Sequence, residues 1–139
     1  MNDLDQSFAE FQAAQQARHC AENWLAAFET ALTARDAERI GDLFHPDSHW
    51  HDILAFTWHL TPVAGRDEIA ARLAAEQGRT AARAFHLPPG RKPPRQVRRL
   101  SIDSVEAIFE FSTVDGSGAG IIRLSPAPDG GEKMKAWLL

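Results

Sequence analysis

Tyrosine is absent from the 139 residues, and cysteine appears once, as Cys20. A lone thiol cannot close an intramolecular disulfide or share a metal with a second thiol, so a reducing, cytoplasmic setting fits best. No uninterrupted apolar run approaches ~20 residues, and the opening MNDLDQSFAEFQ carries acids where a signal peptide needs bases followed by an apolar stretch. The chain is therefore expected to be neither secreted nor membrane-spanning. An excess of positive charge is missing too. Fifteen basic residues against 19 acidic leave a net charge of -4, which exerts no overall pull toward nucleic acid or an anionic membrane. What is present is 44% hydrophobic content at a single-domain length, enough for one packed core.

From Ala21 to Leu32, Trp24, Leu25, Phe28, Ala31 and Leu32 recur at helical spacing with Glu22, Glu29 and Thr30 between them. This predicts a long amphipathic first helix, with residues 1–19 as an N-terminal helical extension of a domain spanning 20–139. Asp36 is placed to cap a short second helix that buries Ile40, Leu43 and Phe44, and Pro46 is expected to end it. SHWHDI and FTWHLTPV alternate like strands, and GRDEIAARLAAEQ has the acidic first turn and the apolar pair, Ile69 and Leu73, of a third helix.

In VEAIFEFST, alternation puts Val105, Ala107, Phe109 and Phe111 on a core face and Glu106 and Glu110 on a wet one, with Ile108 the exception. VDGSG and PDGGE read as turns separating this strand from AGIIRLS and KMKAWLL, which makes an antiparallel meander and an α+β domain. No G-x-G-x-x-G follows a strand; GSGAG reads as a hairpin turn, so no Rossmann dinucleotide site and no cofactor is expected in this chain. Residues 79–99 hold seven of the fifteen basic residues, four of the eight prolines and no acid. They read as a solvated loop whose prolines prevent strand pairing, or as a docking surface for an anionic ligand or partner. With Phe85 the only aromatic there, nucleic acid is the weakest version of that surface.

HPDSHWHDILAFTWHL, residues 45–60, holds four of the six histidines. His49 and His51 lie two apart on a strand and could share a metal with His59, but no glutamate follows before Glu68, so no metal site is assigned and His45, His49 and His59 read as outer-face residues. Alternation sets Trp50 and Asp52 on the opposite face. Asp52 among aromatics would have its pKa raised toward the general acid–base range; an Asp52 that accepts hydrogen bonds from a neighbouring loop would be structural instead. Asp52 and His51 are the candidate catalytic residues. Trp24, Phe28, Trp50, Trp58, Phe109 and Phe111 are candidate pocket-lining rings for a hydrophobic small molecule, and core packing is the competing and favoured reading of each one taken singly.

Over residues 20–139, WLAAFETALTARDAERIGDLFHPDSHWHDILAFTW, GRDEIAARL and the terminal KAWLL resemble the SnoaL-like branch of the nuclear transport factor 2-like superfamily. HWHDILAFTWHL and KAWLL are similar, more narrowly, to the domain preceding the flavin- and nicotinamide-binding domains of bacterial flavin-containing monooxygenase-like proteins. The resemblance implies a cone-shaped α+β fold, three helices on a curved, mostly antiparallel sheet that encloses a pocket. It also implies a flavoprotein domain as partner, in cis or in trans, and a homodimer formed through the outer sheet face, where Ile108 and Ile121 lie. An excised domain, a natural truncation and a stand-alone relative all fit this resemblance, and the end at WLL within an apolar strand favours the first two. Ketosteroid isomerase, in the same superfamily, uses an aspartate base near the first strand, a place that Asp52 matches, together with a tyrosine that this sequence does not have; a histidine or a tryptophan N–H would have to replace it. Two functions follow. One is a non-catalytic pocket or interaction module associated with a flavin-dependent monooxygenase. The other is a stand-alone, cofactor-independent isomerase, cyclase or dehydratase acting on an apolar ring-containing substrate.

Overall fold

In the computed structural model, which describes residues 2–53, 60–99, 102–126 and 134–139, helix α1 runs without a break from Asn2 to Ala34. Its second half packs. Ala17, Ala21, Trp24, Leu25, Phe28, Ala31 and Leu32 are all buried, the i, i+3, i+4, i+7 stripe expected of a helix lying on a core. The helix stops where Arg35 turns left-handed (φ 54°), and the Asp36 carboxylate accepts from the Arg39 N–H at 3.2 Å to start α2, Ala37–Gly41. Ile40 seats α2 on the core.

Strand β1 spans Phe44–Ile53, so Pro46 lies inside a strand and does not terminate the helix. Pairing of β1 with β7 (Met134–Leu138) is parallel and shifts register between Phe44 and His49. Pro46, which has no N–H to donate, falls in that irregular stretch. On its other side β1 pairs antiparallel with β2 (Leu60–Ala64), which leads into α3, Arg66–Thr80, seated by Ile69, Ala70 and Leu73. Ala81 closes α3 in the left-handed conformation, and the buried Gln77 amide then holds both backbone groups of Ala82, donating to its oxygen at 2.8 Å and accepting from its nitrogen at 3.2 Å.

The basic, proline-rich stretch departs from the loop expectation. Arg83–His86 forms β3 and Arg95–Arg99 forms β4, and both pair antiparallel with β5, Ile102–Thr113. Pro88, Pro89, Pro93 and Pro94 all lie between the two strands, where no ladder N–H is required. The arginines face partners. Arg91 meets Glu110 at 3.2 Å, Arg95 meets Glu106 at 3.1 Å, and Arg98 approaches Asp103 at 3.6 Å. β3 is bulged at Ala84 (φ 58°), and the Glu29 carboxylate of α1 accepts the Phe85 N–H at 2.7 Å, binding the bulge to the helix.

β5 pairs with β6 (Gly116–Pro126) from Val105↔Leu124 to Thr113↔Gly116, and β6 with β7, completing the expected meander. The hairpin turn is only Val114–Asp115; Gly118 and Gly120 belong to β6. Sheet order is β2-β1-β7-β6-β5-β3, with β4 also on β5. Three helices on one curved, mostly antiparallel sheet make this an α+β domain.

Candidate functional site

β1 carries the residues singled out from its sequence. Trp50 is buried and His49 exposed, as alternation requires, while the backbones of His51 and Asp52 pair with Pro62 and Thr61. The side chains of His51 and Asp52 are not among those the structure describes, and Trp58 and His59 lie outside the described residues altogether. Among the described residues no three His, Cys, Asp or Glu side chains gather into a metal-binding group. His45 is more than an outer-face ornament. Its Nε2 lies 2.8 Å from Ser125 Oγ and 3.2 Å from the Ser125 carbonyl oxygen, tying β1 to β6 across the intervening β7.

Four of the six pocket candidates meet in one aromatic assembly. Trp24 and Phe28, one turn apart on α1, stack at 4.8 Å; Phe109 and Phe111, on the core face of β5, lie 5.9 Å apart. Two rings unmarked as pocket candidates in the sequence complete the chain. Phe44 sits edge-on to Trp24 at 5.7 Å and to Phe28 at 6.2 Å, and Phe85 bridges Phe28 (5.3 Å) to Phe111 (5.0 Å). Trp24, Phe28, Phe109 and Phe111 thus pack ring on ring, in geometries worth ~0.5–1.5 kcal/mol per pair beyond area burial. Trp50 is buried on β1 with interactions of its own. Phe85 was hidden from sequence reasoning by the prolines and arginines around it.

The polar groups at this core are few. Trp24 Nε1 donates to the Leu43 carbonyl oxygen at 3.0 Å, which also accepts the Ala136 N–H at 2.8 Å. That indole N–H is therefore committed to joining α1, the start of β1 and β7, and does not serve as the replacement for a tyrosine donor. Half-burial pushes the Cys20 thiol above its ordinary pKa, because the low-dielectric surroundings disfavour the thiolate, so at neutral pH it is a protonated packing group. Ser48, two residues before Trp50, is different. It is fully buried, its carbonyl oxygen accepts the Gly65 N–H at 2.9 Å, and its hydroxyl has no hydrogen-bond partner among the described residues. A serine at the head of the SHWHDI strand signal gave no hint of this.

A cavity of about 410 Å³ opens on the other flank of α1, lined by Ala26, Ala27, Thr30, Ala31, Arg39, Asp42 and Leu43. None of the six aromatic candidates lines it. Three of its seven lining residues are alanines, and its two charged residues bear opposite signs.

Neither a protein-family model nor a curated protein matches the chain. Solved structures do. A protein of the NTF2-like family from Streptomyces avermitilis that bears the name of a dehydratase superposes with a TM-score of 0.59 at 14% identity, covering 89% of this chain and 93% of its own. An NTF2-like protein with a cystatin-like fold from Novosphingobium aromaticivorans gives a TM-score of 0.54 at 13% identity, over 99% of this chain and 86% of its own. A protein from Catenulispora acidiphila gives 0.53 at 19% identity, over 99% and 91%. With three helices against a curved mixed sheet and these superpositions, the chain has the cone-shaped α+β fold of the nuclear transport factor 2-like proteins.

Proposed function

We propose that the chain takes up an apolar, ring-containing small molecule beside the inner face of β1, and that Ser48 Oγ meets the ligand's one polar oxygen. The observation that carries this reading is the buried Ser48 hydroxyl, two residues before Trp50, which has no hydrogen-bond partner among the described residues. A hydroxyl left without a partner in a core costs ~1–3 kcal/mol, and a ligand oxygen relieves that cost on binding. Acid–base chemistry at Asp52, an isomerisation or dehydration without cofactor, is the reaction proposed for such a ligand, with His51 as the accompanying donor. Its support is the position of Asp52 in β1, four residues beyond Ser48, together with the name of the Streptomyces protein of the same fold. The flavoprotein domain implied by the sequence resemblance would, on this reading, receive the ligand from the inner face of β1.

Ser48→Ala separates a ligand contact from a packing accident. The free variant is expected to be more stable than wild type by ~1 kcal/mol in urea melts, since an unsatisfied hydroxyl is removed. Its affinity for a bicyclic aryl ketone such as 2-tetralone, read by tryptophan fluorescence, is expected to fall about tenfold, ~1.4 kcal/mol. Unchanged stability and unchanged affinity together would overturn the assignment.

The chemistry has its own readout in deuterium exchange at the α-carbon of the same ketone. Wild type is expected to exceed the buffer rate, and Asp52→Asn to retain binding while losing ~10²-fold or more of that excess. Exchange equal to wild type in a folded Asp52→Asn protein removes Asp52 from the site and leaves the binding reading standing on Ser48.

A further inference from the structure

The first half of α1 carries its apolar residues on a different face from the second half. Leu4, Phe8 and Phe11, at i, i+4 and i+7, are 80%, 62% and 61% exposed. At 100° per residue their stripe is centred roughly 130° around the helix from the buried stripe of Ala17, Ala21, Trp24, Phe28 and Leu32. A helix with two apolar faces offers two packing surfaces, and the protein's own core takes up one of them. The same half-helix is acidic: residues 1–17 contain Asp3, Asp5 and Glu10 and no lysine or arginine.

A surface of matching character lies on the outer face of the sheet. Ile108 and Ile121 are directly opposed across β5 and β6, with Ile121 46% exposed. Around them stand Arg83 opposite Ser112, Arg91 on Glu110, and Arg95 and Arg123 on Glu106, four arginines against two glutamates, or a net charge of 4 - 2 = +2. An apolar centre with a cationic rim fits an apolar stripe with acidic flanks.

We propose that the α1 extension of one copy of the chain docks on the outer sheet face of a second copy, with Leu4, Phe8 and Phe11 over Ile108 and Ile121. Two alternatives are disfavoured by charge. Pairing two extensions stripe to stripe brings six acids and no base together, and pairing two sheets face to face opposes two cationic rims. Area is sufficient. Three such side chains offer roughly 400 Å² per chain, so two reciprocal contacts, counting helix and covered sheet, bury roughly 1,600 Å², the standard size of a stable interface. Reciprocal exchange also closes the assembly as a two-fold dimer.

The test is the mass of the full chain by light scattering at tens of micromolar, on wild type, Phe8→Glu/Phe11→Glu and Ile121→Glu, with Ile121→Ser replacing the latter where glutamate disturbs the strand. Circular dichroism melts confirm that each variant is folded. The expected result is a dimeric wild type and at least a 100-fold weaker dimer for each variant alone. Mixing the two variants is expected to recover a heterodimer of intermediate affinity, because the intact helix of one still meets the intact sheet of the other. A monomeric wild type overturns the proposal. So does an Ile121 variant that dimerises like wild type, which means stripe pairs with stripe; a helix variant that does so, which means sheet pairs with sheet; or a mixture that fails to pair.

Discussion

Gly118→Ala and Gly120→Ala, combined in one protein, are expected to lower stability by about 2–4 kcal/mol in urea melts, with a correspondingly large fall in Tm. On β6 these residues stand directly opposite Phe111 and Phe109 of β5, and the two rings lie over them. A methyl built on Gly118 would sit 2.6 Å from Phe111 Cζ, and one on Gly120 2.7 Å from Phe109 Cζ. Neither ring can withdraw cheaply, because Phe111 is stacked on Phe85 at 5.0 Å and Phe109 and Phe111 lean on each other. Each alanine should cost about 1–3 kcal/mol alone, and the pair less than the sum, since the rings that must move are in contact. Near-ultraviolet circular dichroism should change along with stability. Alanines tolerated within about 0.5 kcal/mol would mean that the rings do not depend on the space over the glycines.

The glycines also show where reasoning from sequence reached and where it stopped. Hydrophobic periodicity was enough for the packed half of α1, for α3, and for the Val105, Ala107, Phe109, Phe111 face of β5, because each signal is local and repeats at the element's own period. Asp36 was legible as a cap for the same reason. Gly118 read as turn, and Gly120 fell both in the GSGAG turn and in the AGIIRLS strand, because what makes glycine fit there is a ring on the neighbouring strand, a cross-strand relation that one segment does not contain. β3 and β4 were obscured by composition. Their prolines lie between the paired runs, and their arginines are answered by Glu106, Glu110 and Asp103 of β5. In the candidate site, alternation correctly set Trp50 inward and His49 outward, yet Ser48 was invisible as a site residue. Whether a buried hydroxyl is satisfied depends on every element around it. The Trp24 N–H is the converse case: only the fold brings Leu43 O to it, 19 residues along the chain.

Removing the carboxylate of Glu106 should be the costliest single change on the outer face of the sheet. Alternation set Glu106 on the wet side of β5, but the residue is buried, with Arg95 at 3.1 Å on one side and Arg123 at 2.9 Å on the other. Taking one partner from a buried ion pair costs ~3–5 kcal/mol, because the remaining charge is left without compensation. Here that figure must be discounted, since the Arg95 side chain is 56% exposed and returns readily to water, whereas Arg123, at 28%, does so less well. Glu106→Ala is therefore expected to cost about 2–3 kcal/mol, and Glu106→Gln about 1, since the amide oxygen still accepts from one arginine. Arg95→Ala should cost under about 1 kcal/mol and respond to salt, while Arg123→Ala should cost more and respond less. The double variant Glu106→Ala/Arg123→Ala should be more stable than the two single losses predict, because the uncompensated charge is removed along with its partner. Equilibrium urea melts on wild type, the two single alanine variants at 106 and 123 and their double measure this cycle. A Glu106→Ala protein within about 0.5 kcal/mol of wild type, or a cycle with no coupling, would show that the carboxylate is held by packing and not by its two arginines.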